Sequence, residues 1–238
     1  MPQLQNGFLA TLSEDDFSVI KPHLKSVELK HQAILYRTGQ RMAEVYFPKS
    51  AVISLVVGLS SGDMAEIAMV GRDGIVGGGV GMGLEVSLNE ATVQIPGEAW
   101  VLDPAILKFA AETHTSFRAG LFRREQLVLL QAQQLAACNV NHAIEKRLAR
   151  WLLRSQDLAM RANLPLTQEF LSQMLGVRRT SVTLVASTLQ KAGVIKYKRG
   201  QITIVDLVGL QLMACECHEM LRSHSQFLLG VVPEPTNA

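Results

Sequence analysis

Residues 166–190 read LTQEFLSQMLGVRRTSVTLVASTLQ. Two helical runs flank one glycine, Gly176, and this arrangement leaves the chain few options. Thr167 is placed to cap a helix running from Gln168 to Leu175. Gly176 supplies a sharp turn, because glycine adopts positive φ without a steric penalty. The spacing predicts a second helix from about Arg179 to Lys191, stopped at Gly193. Leu171, Leu175, Val177, Val182 and Val185 fall on facing sides. Small Ser172 sits where the two axes must approach closely. Helices packed on these residues at a steep angle form a helix-turn-helix. The packing leaves Arg178, Arg179, Thr180 and Thr183 outside the shared core, at the start of the second helix. In a helix-turn-helix this end enters the major groove and its first residues reach the base edges. Arginine can hold guanine O6 and N7 with two bonds. Base reading is therefore assigned to Arg178, Arg179, Thr180 and Thr183.

The next segment, VIKYKRGQITIV, reads as a β-hairpin. Val194–Tyr197 and Gln201–Val205 are its strands, and Lys198, Arg199 and Gly200 its tip. A basic tip beside the recognition helix is a wing that touches phosphates. Thr167, Lys198 and Arg199 are the candidate phosphate contacts. The charge distribution agrees. The formal net charge is only +2, yet residues 141–200 carry 11 Lys/Arg against 3 Asp/Glu. Residues 1–110 carry 8 against 12, and residues 201–238 carry 1 against 4. Clustered cations gain free energy by releasing phosphate counterions. A solvated basic face, or a purely structural helical hairpin, is the alternative; the wing argues against it.

The remainder of the 238 residues allows two modest domains. Residues 27–103 hold short runs of β-branched and apolar residues. Thr38-Gly39, Ser61-Gly62, Gly71 and Pro96-Gly97 punctuate them. Such spacing predicts an antiparallel sandwich or roll. Ser13 is placed to cap a short helix before it, with acids in the first turn. After Pro104 one long amphipathic helix is expected. Leu121, Val128 and Leu135 recur every seven residues, flanked by Phe117, Phe122, Leu129 and Ala132, and predict a dimer seam interrupted by Arg124 and Gln131. Packing against the chain's own sheet is the alternative. A further helix carries Ile144, Leu148 and Trp151 on one face. No apolar run reaches the roughly 18 residues of a membrane helix, and no secretory signal is read at the N-terminus. The 3 cysteines fit a reducing cytoplasm rather than a disulfide framework.

With these motifs in place, the chain resembles the Crp/Fnr family of bacterial transcription regulators along nearly its whole length. LTQEFLSQMLGVRRTSVTLVASTLQKAGVI is the strongest match. The resemblance implies an α+β chain: an N-terminal antiparallel, jelly-roll-like β-roll sensor over residues 1–110, a dimerisation helix over 111–140, a winged helix-turn-helix over 141–223 and a tail over 224–238. It implies a homodimer on a pseudo-palindromic duplex, with RNA polymerase as a further partner and no membrane association. Arg179 matches the arginine of the family's recognition helix, but Thr180 replaces the usual glutamate and Leu184 a later arginine. The DNA sequence read should differ accordingly. Nucleotide-binding members carry Gly-Glu, then Arg-Ser shortly before Ala-Thr-Val. Here those positions read Gly77-Gly78 and Asn89-Glu90. The phosphate's cation is missing, Arg72 lies far upstream, and Glu90 would repel an anion. Gly77, Gly78, Asn89 and Glu90 remain the candidate effector pocket, for an effector other than cyclic AMP.

Other motifs are weaker. GGGVGMG lacks the Gly-Lys-Ser/Thr ending of a phosphate loop and reads as a mobile sensor loop. Cys215, Cys217 and His218 sit in a helical stretch where positions two apart face different sides. With no second pair to complete four ligands, no metal and no cofactor are expected. Family members with an iron–sulfur cluster use N-terminal cysteines, and none is present here. Cys138 reads as a buried thiol. No catalytic set has a motif context, so a nucleotide-regulated enzyme subunit is disfavoured. A ligand-independent regulator with a scaffold β-roll is the nearer rival.

Overall fold

The computed structural model describes residues 5–229, and residues 230–238 of the expected tail lie outside this range. The chain divides into two compact units. One comprises residues 1–57 and 68–128; the other comprises residues 58–67 and 129–238.

The first unit begins with helices α1 (Gly7–Ala10) and α2 (Glu14–Ile20). Ser13 caps α2, its hydroxyl accepting from Asp16 N at 3.1 Å. Seven strands follow: β1 (Lys25–Leu29), β2 (Ile34–Tyr36), β3 (Val45–Pro48), β4 (Val52–Gly58), β5 (Met64–Val70), β6 (Glu90–Ile95) and β7 (Gly97–Leu102). They form two sheets, ordered β1-β7-β3 and β2-β6-β4-β5. The pairings of β7 with β1 and β3, and of β6 with β2 and β4, are antiparallel. β4 is buried at Val52, Ile53, Ser54, Leu55 and Val56 without alternation. Its one buried hydroxyl is satisfied, Ser54 Oγ donating to Gln94 Oε1 at 2.9 Å. Phe8, Phe47 and Phe117 meet in the core, with ring centroids 5.9 and 5.6 Å from that of Phe8. GGGVGMG is not an open loop: Gly78–Met82 form a 3-10 turn in which Gly78, Gly79, Val80 and Gly81 are buried.

After Pro104 the expected single helix is two, α3 (Pro104–Thr113) and α4 (Thr115–Asn141), separated at an extended His114. The break falls in Thr113-His114-Thr115-Ser116, where hydroxyl side chains compete for backbone groups. Thr113 Oγ1 donates to Phe109 O at 2.7 Å. The seven-residue seam is also displaced from its expected line. Leu121 is fully buried and Leu135 8% exposed within one chain, so ordinary packing accounts for both. Of the expected seam and its flanking residues, Phe122, at 55%, and Leu129, at 48%, are left outside, and Val140 near the end of α4 is exposed as well. Arg124, 4% exposed, belongs to the interior and donates to the carbonyls of Asp73 and Gly7. Burial lowers its pKa to about 10.

The second unit contains α5 (Ile144–Ala159), β8 (Asn163–Leu164), α6 (Gln168–Leu175), α7 (Arg179–Lys191), β9 (Ile195–Lys198), β10 (Gln201–Ile204), α8 (Leu207–Met213) and α9 (Cys217–Leu228). Its sheet is ordered β8-β10-β9. The sequence announced only the hairpin; β8, two residues long, carries no periodic signal. α9 continues through residue 223 into the expected tail. Among the described residues, no helix is long and apolar enough to cross a membrane.

Candidate nucleic-acid interface

α6 and α7 begin and end where the sequence predicts. Thr167 Oγ1 accepts from Phe170 N at 3.1 Å and caps α6. Gly176 ends it with φ 61° and ψ 43°, and Val177 N donates back to Ser172 O at 3.0 Å. This left-handed closure is a common helix terminus and satisfies orphan carbonyls. Arg147 of α5 donates to Leu175 O, placing a cation at the negative end of α6. Phe170, Leu171 and Leu175 of α6 and Val182, Val185, Ala186 and Leu189 of α7 are buried. At roughly 1.5–3 kcal/mol for each large apolar side chain, this core fixes the pair firmly.

Arg178, Arg179, Thr180 and Thr183 are all exposed at the start of α7. Arg178 occupies the N-cap position with no side-chain capping bond. Arg179 Nη1 lies 4.0 Å from Glu169 Oε2, an exposed pair that contributes little. Thr183 Oγ1 donates to Gln168 Oε1 at 2.8 Å, so its proton is already engaged across the helix pair. Gln168 and Glu169 thus belong to this surface, although the sequence marked them only as the opening of a helix.

The wing is tighter than expected. Lys198 pairs with Gln201, leaving a two-residue turn at Arg199 and Gly200. Their φ values of 49° and 74° are those of a type I′ turn, whose twist suits a hairpin. Gln190 Oε1 of α7 accepts from Tyr197 N of β9 at 2.8 Å, tying the wing to the recognition helix. A Cβ added to Gly200 would lie 3.4 Å from Thr167 Cγ2. The structure therefore gathers Thr167, Lys198 and Arg199 at one edge of the helix pair.

In the first unit, Gly77 and Gly78 face Tyr36, Met42, Ile75 and Glu125. A Cβ on Gly78 would come 2.8 Å from Glu125 Oε1, so the Glu125 carboxyl fills the space a side chain there would need. Burial raises the Glu125 pKa, and a hydrogen bond from Gly79 N partly offsets it. Burial also raises Tyr36, with Glu125 adding to the shift. The lining is acidic and apolar. Asn89 N donates to Ser87 Oγ at 3.4 Å. Glu90 accepts from Thr92 Oγ1 at 3.1 Å and lies 3.9 Å from Arg37 Nε. The cassette's own segment lacks a cation, but β2 and its following turn bring Arg37 to Glu90, which the linear sequence did not reveal.

The helical stretch expected around Cys215 is interrupted. α8 ends at Met213 and α9 begins at Cys217, leaving Cys215 in the break. Cys215 and Cys217 can therefore converge, and Cys138 and His142 from the end of α4 supply the second pair the sequence did not locate. His218 is not in this group; its Nε2 lies 3.6 Å from Asp157 Oδ2.

Comparison with known proteins extends the picture. Residues 146–213 match the model of the Crp-like helix-turn-helix domain. No curated protein sequence matches the chain. Solved structures share its fold at low identity. A putative transcriptional regulator of the Crp/Fnr family from Eubacterium rectale aligns at TM-score 0.67 and 17% identity, covering 88% of this chain and 98% of its own. FixK2 from Bradyrhizobium japonicum aligns at 0.66 and 17%, covering 81% and 98%. CLP from Xanthomonas campestris, described as a c-di-GMP responsive global regulator, aligns at 0.64 and 14%, covering 81% and 99%. Residues 146–213 are thus a Crp-like helix-turn-helix domain, and the chain as a whole shares its fold, antiparallel β-sheets followed by a long helix and this domain, with solved regulators of the Crp/Fnr type.

Proposed function

We propose that this chain acts as a homodimeric, cytoplasmic, sequence-specific DNA-binding regulator whose effector is not cyclic AMP in the family's usual pose. The observation that carries the reading is the exposed start of α7, with Arg178 and Arg179, together with a basic wing whose tip at Gly200 approaches Thr167 at the head of α6. Arg179 and Arg178, with Thr180 and the oxygen of Thr183, read base edges; Thr167, Lys198 and Arg199 hold phosphates. Phe122 and Leu129, exposed seven residues apart on α4, are suited to meet their symmetry mates. Two-fold symmetry then sets the recognition helices in successive major grooves about 34 Å apart on a pseudo-palindrome. RNA polymerase is the further partner this role implies.

The effector reading rests on Gly77, Gly78, Asn89 and Glu90. An anionic ring phosphate needs a cation or several donors to offset its desolvation. The glycines face the Glu125 carboxyl, and Glu90 stands beside Arg37, which is two-thirds exposed. The test of the DNA reading is selection of bound sites from random duplexes, followed by Arg179→Ala. We expect a loss of roughly 1–3 kcal/mol and relaxed preference at one base pair per half-site. A folded, dimeric variant with unchanged affinity and preference would refute the docking. Selection with and without candidate effectors also separates a responsive sensor from a scaffold β-roll.

A further inference from the structure

We propose that Cys138, His142, Cys215 and Cys217 bind a single zinc ion, which pins the C-terminal end of α4 to the turn between α8 and α9. His142 directly follows α4, and its N–H still donates to Cys138 O at 3.0 Å in the helical i to i−4 pattern, which brings the two residues to one side of the helix end. Cys215 and Cys217 flank the start of α9. All three cysteines are buried. The four ligand atoms lie within 4.8 Å of one another. Cys138 Sγ is 3.6 Å from Cys215 Sγ, and Cys217 Sγ is 3.5 Å from His142 Nδ1. Zn–S bonds of about 2.3 Å and a Zn–N bond of about 2.05 Å in a tetrahedron require S–S edges of about 3.8 Å and S–N edges of about 3.5 Å. These two distances match such edges to within a few tenths of an ångström, and the remaining pairs, all within 4.8 Å, would have to draw in by at most about 1.3 Å to close the tetrahedron.

The surroundings fit the same ion. His142 Nε2 lies 3.1 Å from Glu216 Oε1. If Nε2–H donates to that carboxylate, the Nδ1 lone pair faces the thiols, the arrangement by which metal-bound imidazoles are oriented. Gln134 Nε2 donates to Cys217 Sγ at 3.1 Å, as a partner to a bound thiolate would. Three thiolates and a dication leave one negative charge. The buried guanidinium of Arg150 interacts with Cys138, and that of Arg147 with Cys138 and Cys215, which offsets this charge. Three soft sulfurs and one imidazole with no open position select zinc in a closed structural site. An iron–sulfur cluster would set its ligands around a core of several atoms, farther apart than these. A Cys138–Cys215 disulfide would use two sulfurs and leave the Cys217, His142 and Glu216 arrangement without a purpose.

The experiment uses the full chain, purified under reducing, chelator-free conditions. Elemental analysis should give about one zinc per chain. After zinc removal, cobalt(II) should produce the intense visible bands of tetrahedral thiolate coordination, and Cys215→Ser should abolish them. Should that variant fail to fold, Glu216→Gln keeps all four ligands and should weaken zinc affinity about 10–100-fold in competition with a chromophoric chelator. Wild-type protein with three reduced thiols that takes up neither zinc nor cobalt would overturn the proposal. So would recovery of iron with sulfide, a Cys138–Cys215 disulfide in metal-free protein that binds DNA as isolated, or zinc affinity untouched by Glu216→Gln.

Discussion

Replacing Gly176 with alanine tests the turn that aims the recognition helix. Gly176 has φ 61° and ψ 43°, in the left-handed region. A residue with a Cβ loses about 1–2 kcal/mol there. Restricting the unfolded chain returns about 0.4–1 kcal/mol. Steric contact adds nothing, because the nearest atom to the new Cβ is 3.9 Å away, an ordinary van der Waals distance. The net destabilisation is then about 0–1.6 kcal/mol, centred on about 0.8, a fall in Tm of about 4 °C at the centre for a unit of roughly 100 residues. Each unit has one tryptophan, Trp100 in the first and Trp151 in the second. A Trp100→Phe background lets Trp151 fluorescence report the second unit alone. Asparagine tolerates the left-handed region better than alanine, so Gly176→Asn should lose less than Gly176→Ala in the same melt. DNA affinity should fall in the same order, since the turn sets the angle of α7. An alanine variant that melts above wild type, or an asparagine variant less stable than alanine, would show that the turn does not hold the conformation described.

Two further perturbations probe the remaining assignments. Neutralising Lys198 and Arg199 together should weaken binding to all duplexes alike and flatten the salt dependence by about 3–4 units for the four cations of a dimer; altered base preference with an unchanged slope would refute the phosphate assignment. Calorimetry with cyclic AMP and cyclic GMP should detect no binding tighter than roughly millimolar, about −4 kcal/mol. Micromolar binding that also tightened DNA affinity would mean that backbone N–H groups of the Gly78–Met82 turn, or Arg37, supply what the cassette lacks.

The helix pair was legible because its signals are local. A capping threonine, a turn glycine and apolar spacing each act within a few residues, and α6 and α7 follow them. The hairpin was legible for the same reason, apart from its tip. There Arg199 takes a positive φ that only the pairing of Lys198 with Gln201 imposes. Signals that depend on distant partners were lost. The heptad pattern on α4 could not distinguish Leu121, which packs within the chain, from Phe122, which does not. Arg124 looked like an interruption of a seam, yet its guanidinium serves carbonyls 51 and 117 residues away. Cys138 and Cys215 are 77 residues apart, and only the break between α8 and α9 lets them meet. Arg37 and Glu90 meet through sheet order, which no motif encodes.

Arg178 at the head of α7 carries a consequence for folding as well as for recognition. Serine, threonine, aspartate or asparagine in an N-cap position typically stabilises a helix by about 1 kcal/mol relative to residues that cannot accept from its first amides. Arginine has no acceptor, and α7 receives no side-chain capping bond from it. A second cation at Arg179 adds to the positive end of the helix dipole rather than opposing it. The first turn is thus the least favourable part of an otherwise well-packed helix when the protein stands alone. A phosphate or the electronegative edge of a guanine would relieve both defects at once. Free energy withheld from the isolated fold at this point would be released on contact with the duplex, so the nucleic acid would complete the helix that reads it.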